Sequence, residues 1–391
     1  ILLLSLSIGL QPVSTDLYLP ALPGLAADLH ASVSMVQYTL TGLLLAFGIS
    51  QLLWGPFSDK VGRRPIMLFG LGLYVVAAIG CVLSTSIEML IVWRVVQGAS
   101  MGAVITSARA VVRDLYQPLE GARIMSKAMT GLGAMACTSP PIGGFLSQHW
   151  GWQVALMSVV VYAAGTLALV AWKFDETVST RNPDALHLPT MLRIWLDVLK
   201  HPTFRAFALL SVAAYGALFT YLATSSFVFI QVLHLTGLQL GWILSSMSVV
   251  YITGTLVCRY LLRHIGMRKT IAWAGASSAF SGLCLCILVY TDHATATGLV
   301  LAMYPMILAH GIHQPIGQSG AVGPFPLSAG AASALNGFLM MLAAFATGAW
   351  LGQSIDGTLF PLAHGVAFWG AVLALTAWTL VQWHGEPHTT D

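Results

Sequence analysis

Residues 35–84 read MVQYTLTGLLLAFGISQLLWGPFSDKVGRRPIMLFGLGLYVVAAIGCVLS. Two apolar runs, 35–57 and 65–84, each hold the ~20 residues that cross ~30 Å of hydrocarbon. The connection Asp59-Lys60-Val61-Gly62-Arg63-Arg64 is short and basic, so the stretch predicts two membrane helices joined by a tight, charged turn. The pattern recurs at 240–290, where two further apolar runs flank Arg263-His264-Ile265-Gly266-Met267-Arg268-Lys269. Gly62 matches Gly266, and Arg64 matches Arg268.

Composition agrees. The 391 residues are 57% hydrophobic and 8% charged, against ~25% charged in soluble domains. So little polar surface excludes a soluble fold and defines an integral membrane protein. The five cysteines (Cys81, Cys137, Cys258, Cys284, Cys286) fall in apolar runs and read as small buried residues, without the second ligand pair of a zinc site.

Twelve spans are predicted: 1–22, 35–57, 65–84, 88–112, 124–147, 152–173, 204–230, 240–262, 270–290, 297–318, 330–353 and 363–384. The first is long, carries Asp16 and ends in no small-residue cleavage pattern. It reads as a true span with a trimmed leader, not a signal peptide.

Lys60, Arg63, Arg64, Arg109, Arg113, Arg123, Lys127, Arg263, Arg268 and Lys269 cluster in or beside the connections after spans 2, 4 and 8. Lys173, Arg181, Arg193, Lys200 and Arg205 belong to the central stretch. The alternate connections carry none, and hold Asp28, Glu88, Asp292 and Asp356 instead. By the positive-inside rule both termini and the central stretch are cytoplasmic.

The chain therefore divides into an N-terminal six-helix half at 1–173, a cytoplasmic linker at 174–203 and a C-terminal six-helix half at 204–391, both halves in the same orientation. That parallel repeat is one architecture of secondary transporters. Arg193, Asp197 and Lys200 are spaced as on an amphipathic helix, which predicts an interfacial segment in the linker.

Two charges sit inside apolar runs. Arg94 lies in IEMLIVWRVVQGASMGAVITSA and Asp16 in ILLLSLSIGLQPVSTDLYLPAL. A charge at the bilayer centre costs at least ~2.5–3.5 kcal/mol, so it faces the protein interior and marks a transport path or an ion pair. Each lies ~6 residues from the outer end of its span, roughly 9 Å deep at 1.5 Å per residue. The equal depth predicts that Asp16 and Arg94 meet, directly or through Gln97. Burial disfavours an ionised carboxylate and a neighbouring arginine favours it. Asp16 is thus the candidate proton carrier and Arg94 its modulator.

Several motifs carry a family resemblance. Gly55-Pro56-Phe57-Ser58-Asp59-Lys60-Val61-Gly62-Arg63-Arg64-Pro65-Ile66-Met67-Leu68 resembles the loop motif of the major facilitator superfamily. Arg94-Val95-Val96-Gln97-Gly98 resembles its helix-4 motif, whose arginine is associated with proton coupling. Ser139-Pro140-Pro141-Ile142-Gly143-Gly144 resembles the helix-5 antiporter motif, with Met135 and Ser139 in place of two earlier glycines. Asp16-Leu17-Tyr18-Leu19-Pro20-Ala21-Leu22-Pro23 resembles the helix-1 signature of the bicyclomycin and chloramphenicol resistance branch, among the twelve-span drug:proton antiporters.

The resemblance implies an all-α membrane fold and a conformational latch of Asp59, Arg63, Arg64 and Asp114, in which the arginines reach acidic partners. Asp59, just before span 3, is expected to favour that helix's positive end. Pro140, Pro141, Gly143 and Gly144 are expected to pack span 5 closely against a neighbour.

Polar and aromatic groups at depth are candidates for a substrate cavity: Tyr18, Gln37, Tyr38, Gln97, Tyr215, Phe219, Tyr221, His310, His313, Gln314 and Asn336. His310 and His313 share a helical face, but no carboxylate accompanies them, so no metal is expected. No GxxxxGK[ST] loop is present, so nucleotide does not drive the cycle.

The reading is a proton-driven exporter of small amphiphilic compounds such as drugs, working by alternating access. It is multi-pass in a bacterial inner membrane, monomeric, and free of cofactors, nucleic-acid partners and enzymatic activity. The alternative is export of a siderophore, sugar, amino acid or other metabolite on the same scaffold.

Overall fold

The computed structural model describes residues 1–116, 118–178 and 186–385. Arg181 of the predicted linker lies outside them. The described secondary structure is helical. Helices α1 (Leu2–Thr15) and α2 (Leu22–Asp28) are followed by α3 (Val33–Val61), α4 (Arg63–Val82), α5 (Ile87–Leu115), α6 (Pro118–Trp150) and α7 (Trp152–Lys173). Next come α8 (Leu188–Lys200), α9 (Pro202–Ser226), α10 (Gly237–Tyr290), α11 (Ala296–Val322), α12 (Ala329–Ser354), α13 (Phe360–Trp378) and α14 (Leu380–His384).

Among the described residues, ten helical stretches are long and apolar enough to cross a membrane. One of them, α10, has 54 residues. At 1.5 Å per residue that is far more than one crossing needs. It folds at Gly266, whose φ of 76° and ψ of 172° are non-helical. The predicted count of twelve is reached with α10 taken as two spans and the less apolar α6 as one.

Gly62, between α3 and α4, has φ 118° and ψ 158°. The sequence repeat at 62 and 266 is therefore a repeated backbone event. Both positions use a positive φ that side-chain-bearing residues rarely adopt.

The first span departs from the predicted single helix 1–22. It breaks after Thr15, passes through a 3-10 turn at Leu19–Ala21 and resumes as α2. Pro20 and Pro23 lack the N–H that would continue the ladder, and each disfavours a helical residue before it. Three other helices, α3, α5 and α11, start where a side chain caps them. Ser32 accepts from the Met35 N–H (3.4 Å), Ser86 from Met89 (3.2 Å) and Thr295 from Gly298 (3.1 Å).

The chain forms two compact units, Ile1–Met191 with Thr236–Ser245, and Leu192–Leu235 with Ser246–Asp391. The division falls within α8, and the start of α10 belongs to the first unit. In that unit α3 and α4 pack on α5, α4 on α7, and α1 on α6. In the second, α9 packs against α11, α12 and α13. Helix α8 buries Met191 and Val198 and leaves Leu188, Leu192, Leu196 and Leu199 exposed, the stripe an interfacial helix requires.

Candidate functional site

In the first unit the site is built at the break in the first span. A helix end leaves its last carbonyls without intrahelical donors, and it carries partial negative charge. Arg94, fully buried on α5, uses that end. Its Nη1 donates to the Ser14 carbonyl (3.1 Å) and to Gln97 Oε1 (3.0 Å). The guanidinium carbon lies 3.9 Å from the centre of the Tyr18 ring. Tyr18 is itself fully buried and its hydroxyl bonds Thr39 Oγ1 at 2.9 Å. Ser14 Oγ hydrogen-bonds the Tyr74 hydroxyl. Arg94 Nε and Nη2 have no hydrogen-bond partner.

The predicted meeting of Asp16 and Arg94 does not occur. No ion pair joins them, and Gln97 bonds Arg94 alone of the two. Asp16, half-buried, takes a hydrogen bond from Thr15 Oγ1 at 2.7 Å. Counting residues placed the two at equal depth, but the helix stops between Ser14 and Asp16. The carbonyl of Ser14, rather than the carboxylate two residues on, is what Arg94 reaches.

The charged cluster expected to act as a latch centres on Arg63. Its Nη1 contacts Asp59 Oδ1 at 2.6 Å and its Nε contacts Asp114 Oδ2 at 2.9 Å. These are the ion pairs found among the described residues. Ser58 Oγ completes the arginine's shell at 2.5 Å.

Arg64 is not part of that acidic cluster. It caps the end of α7, donating from Nε to the Phe174 carbonyl (2.6 Å) and from Nη2 to that of Ala171 (3.1 Å). Nor does Asp59 serve the start of α4, because it lies in the last turn of α3.

That role falls to Glu176, which sequence reasoning missed. Its carboxylate accepts the N–H groups of Arg63 (2.9 Å) and Arg64 (3.2 Å), together with Thr177 (2.9 Å) and Val178 (3.1 Å). Partial burial alone would raise its pKa. The backbone donors of Val178, Arg63, Arg64 and Thr177 outweigh that and hold it below the usual range. Thr177 Oγ1 reaches Asp114 Oδ2 at 3.3 Å, which joins this cap to the latch.

The packing motif lies within α6, with Pro140 and Pro141 in the helix interior. A side chain at Gly143 would run into the Leu17 carbonyl, and one at Gly144 into the Gly237 carbonyl. Ser245 Oγ donates to the Cys137 carbonyl at 2.5 Å. Met135, which stands where the motif has glycine, is accommodated by the opposite helix. Its sulfur occupies the space over Gly9 of α1 and accepts from Tyr162 Oη at 3.0 Å. The missing glycine is thus supplied from across the interface.

The remaining cavity candidates fall into groups. In the first unit Gln37 and Gln97 are buried, and Tyr38 is half-buried. In the second, Tyr215, Phe219 and Tyr221 are buried on α9. His310 Nδ1 lies 3.1 Å from the Ala214 carbonyl, whereas His313 Nε2 lies 3.5 Å from Ser278 Oγ. The two imidazoles thus address different helices. Among the described residues no cluster of three metal-ligating side chains occurs. Gln314 and Asn336 converge on Met340, whose sulfur lies 3.6 Å from Nε2 of the first and 4.0 Å from Nδ2 of the second.

A polytopic helical chain with a repeated Gly-centred basic turn and a buried charge at a broken span has the construction of a secondary transporter. The chain belongs to the Major Facilitator Superfamily, which it matches over residues 4–382. It is 27% identical over 342 residues to Multidrug resistance protein D of Escherichia coli, covering 87% of this chain and 84% of that protein. It is 26% identical to the bicyclomycin resistance protein homolog of Haemophilus influenzae over 362 residues, 91% of this chain and 88% of that one. Over 208 residues it is 36% identical to a chloramphenicol resistance protein of Pseudomonas aeruginosa, 51% of this chain and 49% of that one. Its fold is similar to that of a D-xylose–proton symporter, with TM-score 0.77, 15% identity and coverage of 100% of this chain and 98% of that chain. It is also similar to a peptide transporter, with TM-score 0.78, 13% identity, and 97% and 93% coverage.

Proposed function

We propose that this chain is a proton-driven exporter of small amphiphilic drugs, neutral or carrying one positive charge. The observation that carries the reading is Asp16 at the break of the first span, directly after a helix end whose Ser14 carbonyl holds the buried, carboxylate-free cation of Arg94. The other described carboxylates of the spans lie in first or last helical turns. Asp16 is therefore the one described acid placed to take up a proton from the outer side as substrate leaves. Its relatives are named for resistance to several drugs, to bicyclomycin and to chloramphenicol, which supports the substrate class.

The cycle works by alternating access, and the site opens to one side of the membrane at a time. Arg63, Asp59 and Asp114 form the cytoplasmic latch that is made in one state and released in the other. The basic connections support the reading that both termini lie in the cytoplasm of a bacterium, with the spans in its inner membrane, and the protein acts as a monomer.

The test is transport in proteoliposomes with an imposed pH gradient. Drug movement against its own gradient, abolished by a protonophore, is expected. Movement indifferent to the pH gradient and to membrane potential would make the protein a uniporter and end the antiport reading.

A further inference from the structure

The second unit holds a polar pair with no use in the proton chemistry. Gln314 on α11 is 8% exposed and Asn336 on α12 is 2% exposed. Both amide nitrogens address the Met340 sulfur, and neither side-chain carbonyl oxygen has a hydrogen-bond partner. A thioether is a weak acceptor with no donor. Turning either amide round would set a carbonyl oxygen against that sulfur and leave the nitrogen unpaired instead. The arrangement found, nitrogens on sulfur and oxygens free, is the better one, and it leaves two strong buried acceptors unsatisfied.

Such groups are rare because each loses its hydration without replacement. A partner that arrives from outside would satisfy both. The surroundings fix its chemistry. Among the described residues of this unit, Asp197 lies in α8, and Asp292 and Asp356 lie in connections. No described carboxylate of the unit therefore lies in its spans to attract a cation. What remains is hydrogen-bond acceptance by neutral amides.

We propose that Gln314 and Asn336, backed by Met340, form a subsite for the uncharged, hydroxyl- or N–H-bearing part of the exported compound. This deepens the efflux reading and rests on it. The pair is a specificity device, which makes the cycle select amphiphiles that donate hydrogen bonds over equally apolar ones that do not. A site built around buried acceptors discriminates against donor-free analogues more strongly than an apolar pocket discriminates by size.

Chloramphenicol and its hydroxyl-acetylated esters form a suitable series, because acetylation removes donors and leaves the charge unchanged. Transport by the full chain in proteoliposomes with an imposed pH gradient would be measured for each. The wild-type KM is expected to rise about 10-fold from chloramphenicol to the diacetyl ester. In Gln314→Leu and Asn336→Leu the KM for chloramphenicol is expected to rise by about that factor, with little change for the ester. Equal wild-type KM values across the series would overturn the subsite while leaving drug efflux intact, and this arm needs no variant to fold. Variants that raise the KM for every member equally would also overturn it. If no compound in the series moves with the pH gradient, the efflux reading falls and the subsite with it.

Discussion

Arg94 and Tyr18 are stacked, with the guanidinium carbon 3.9 Å from the ring centre and both residues fully buried. A buried cation without a carboxylate is costly. Here the compensation comes from a ring face, the Ser14 carbonyl and Gln97 Oε1. Each is a neutral dipole, so the positive charge of Arg94 is solvated but not cancelled. That is the electrostatic setting of the proton exchange proposed for Asp16.

Removing the ring face should therefore cripple the cycle. A desolvated cation–π contact is worth ~2 kcal/mol, so Tyr18→Leu is expected to reduce transport by more than about 10-fold. Tyr18→Phe keeps the ring and loses only the Thr39 hydrogen bond, worth ~1 kcal/mol, and should stay within a few-fold of wild type. Arg94→Ala should be inactive and Arg94→Lys partial, because an ammonium lacks the planar guanidinium that lies over the Tyr18 ring. Initial rates under a fixed pH gradient compare all four, and equal rates in Tyr18→Leu and Tyr18→Phe would remove the ring's role.

Asp16→Asn should insert and fold, since Thr15 Oγ1 can hydrogen-bond an amide oxygen as it does the carboxylate. It should lose pH-gradient-driven transport while retaining substrate binding. Active, proton-driven efflux by that variant would sink the assignment of Asp16 as the coupling acid.

Glu176 gives a pH signature of its own. Its pKa is lower in the folded chain than the ordinary 4.5. The stabilisation it supplies is therefore complete above the unfolded value, and it is lost as pH falls below 4.5 through the lowered folded value. Glu176→Gln should lower the melting temperature at neutral pH, by an amount matching the ~0.5–2 kcal/mol of a lost helix cap. The variant and wild type should converge as the pH falls through that window. Melting curves in detergent that differ by the same amount at every pH would refute the cap.

The latch predicts a shift in conformation, not in substrate. Asp59→Asn removes one of two carboxylates on Arg63 and leaves the 2.9 Å contact to Asp114. It should change the accessibility of introduced cysteines from each side of the membrane, with the substrate profile retained. An unchanged labelling pattern and an unchanged rate would leave the latch without function.

Much of this was legible in the sequence. Gly62 and Gly266 announce the repeated turn because a positive φ demands glycine, and Asp59, Arg63 and Asp114 follow from charge at the ends of apolar runs. For Asp16 and Arg94 the direction of the arginine was not legible. A residue count along an assumed continuous helix cannot show that Pro20 and Pro23 accompany a break, nor that a backbone carbonyl replaces a carboxylate as the partner. Glu176 was hidden because it acts 113 residues from Arg63, from a stretch with no periodicity of its own. The Met135–Gly9 exchange is also a tertiary fact, since one helix's large residue makes sense only beside the other's glycine.

When deprotonated, Asp16 supplies one negative charge, and Arg94 nearby carries a positive charge offset only by dipoles. Among the described residues of the spans, a multivalent cation finds no second carboxylate away from the first and last helical turns. The species proposed to be transported is therefore neutral or singly positive. With one proton per cycle, export of a neutral molecule carries one net charge inward, and each charge gains ~2.3 kcal/mol per 100 mV. Export of a monocation against one proton carries none. Neutral-substrate efflux should accordingly accelerate when an inside-negative potential is imposed with valinomycin at zero pH gradient, about 10-fold or more in accumulation ratio at 100 mV. Monocation efflux should ignore that potential and follow the pH gradient alone. If monocation efflux also responds to potential, more than one proton moves per cycle, and Asp16 is not the sole carrier.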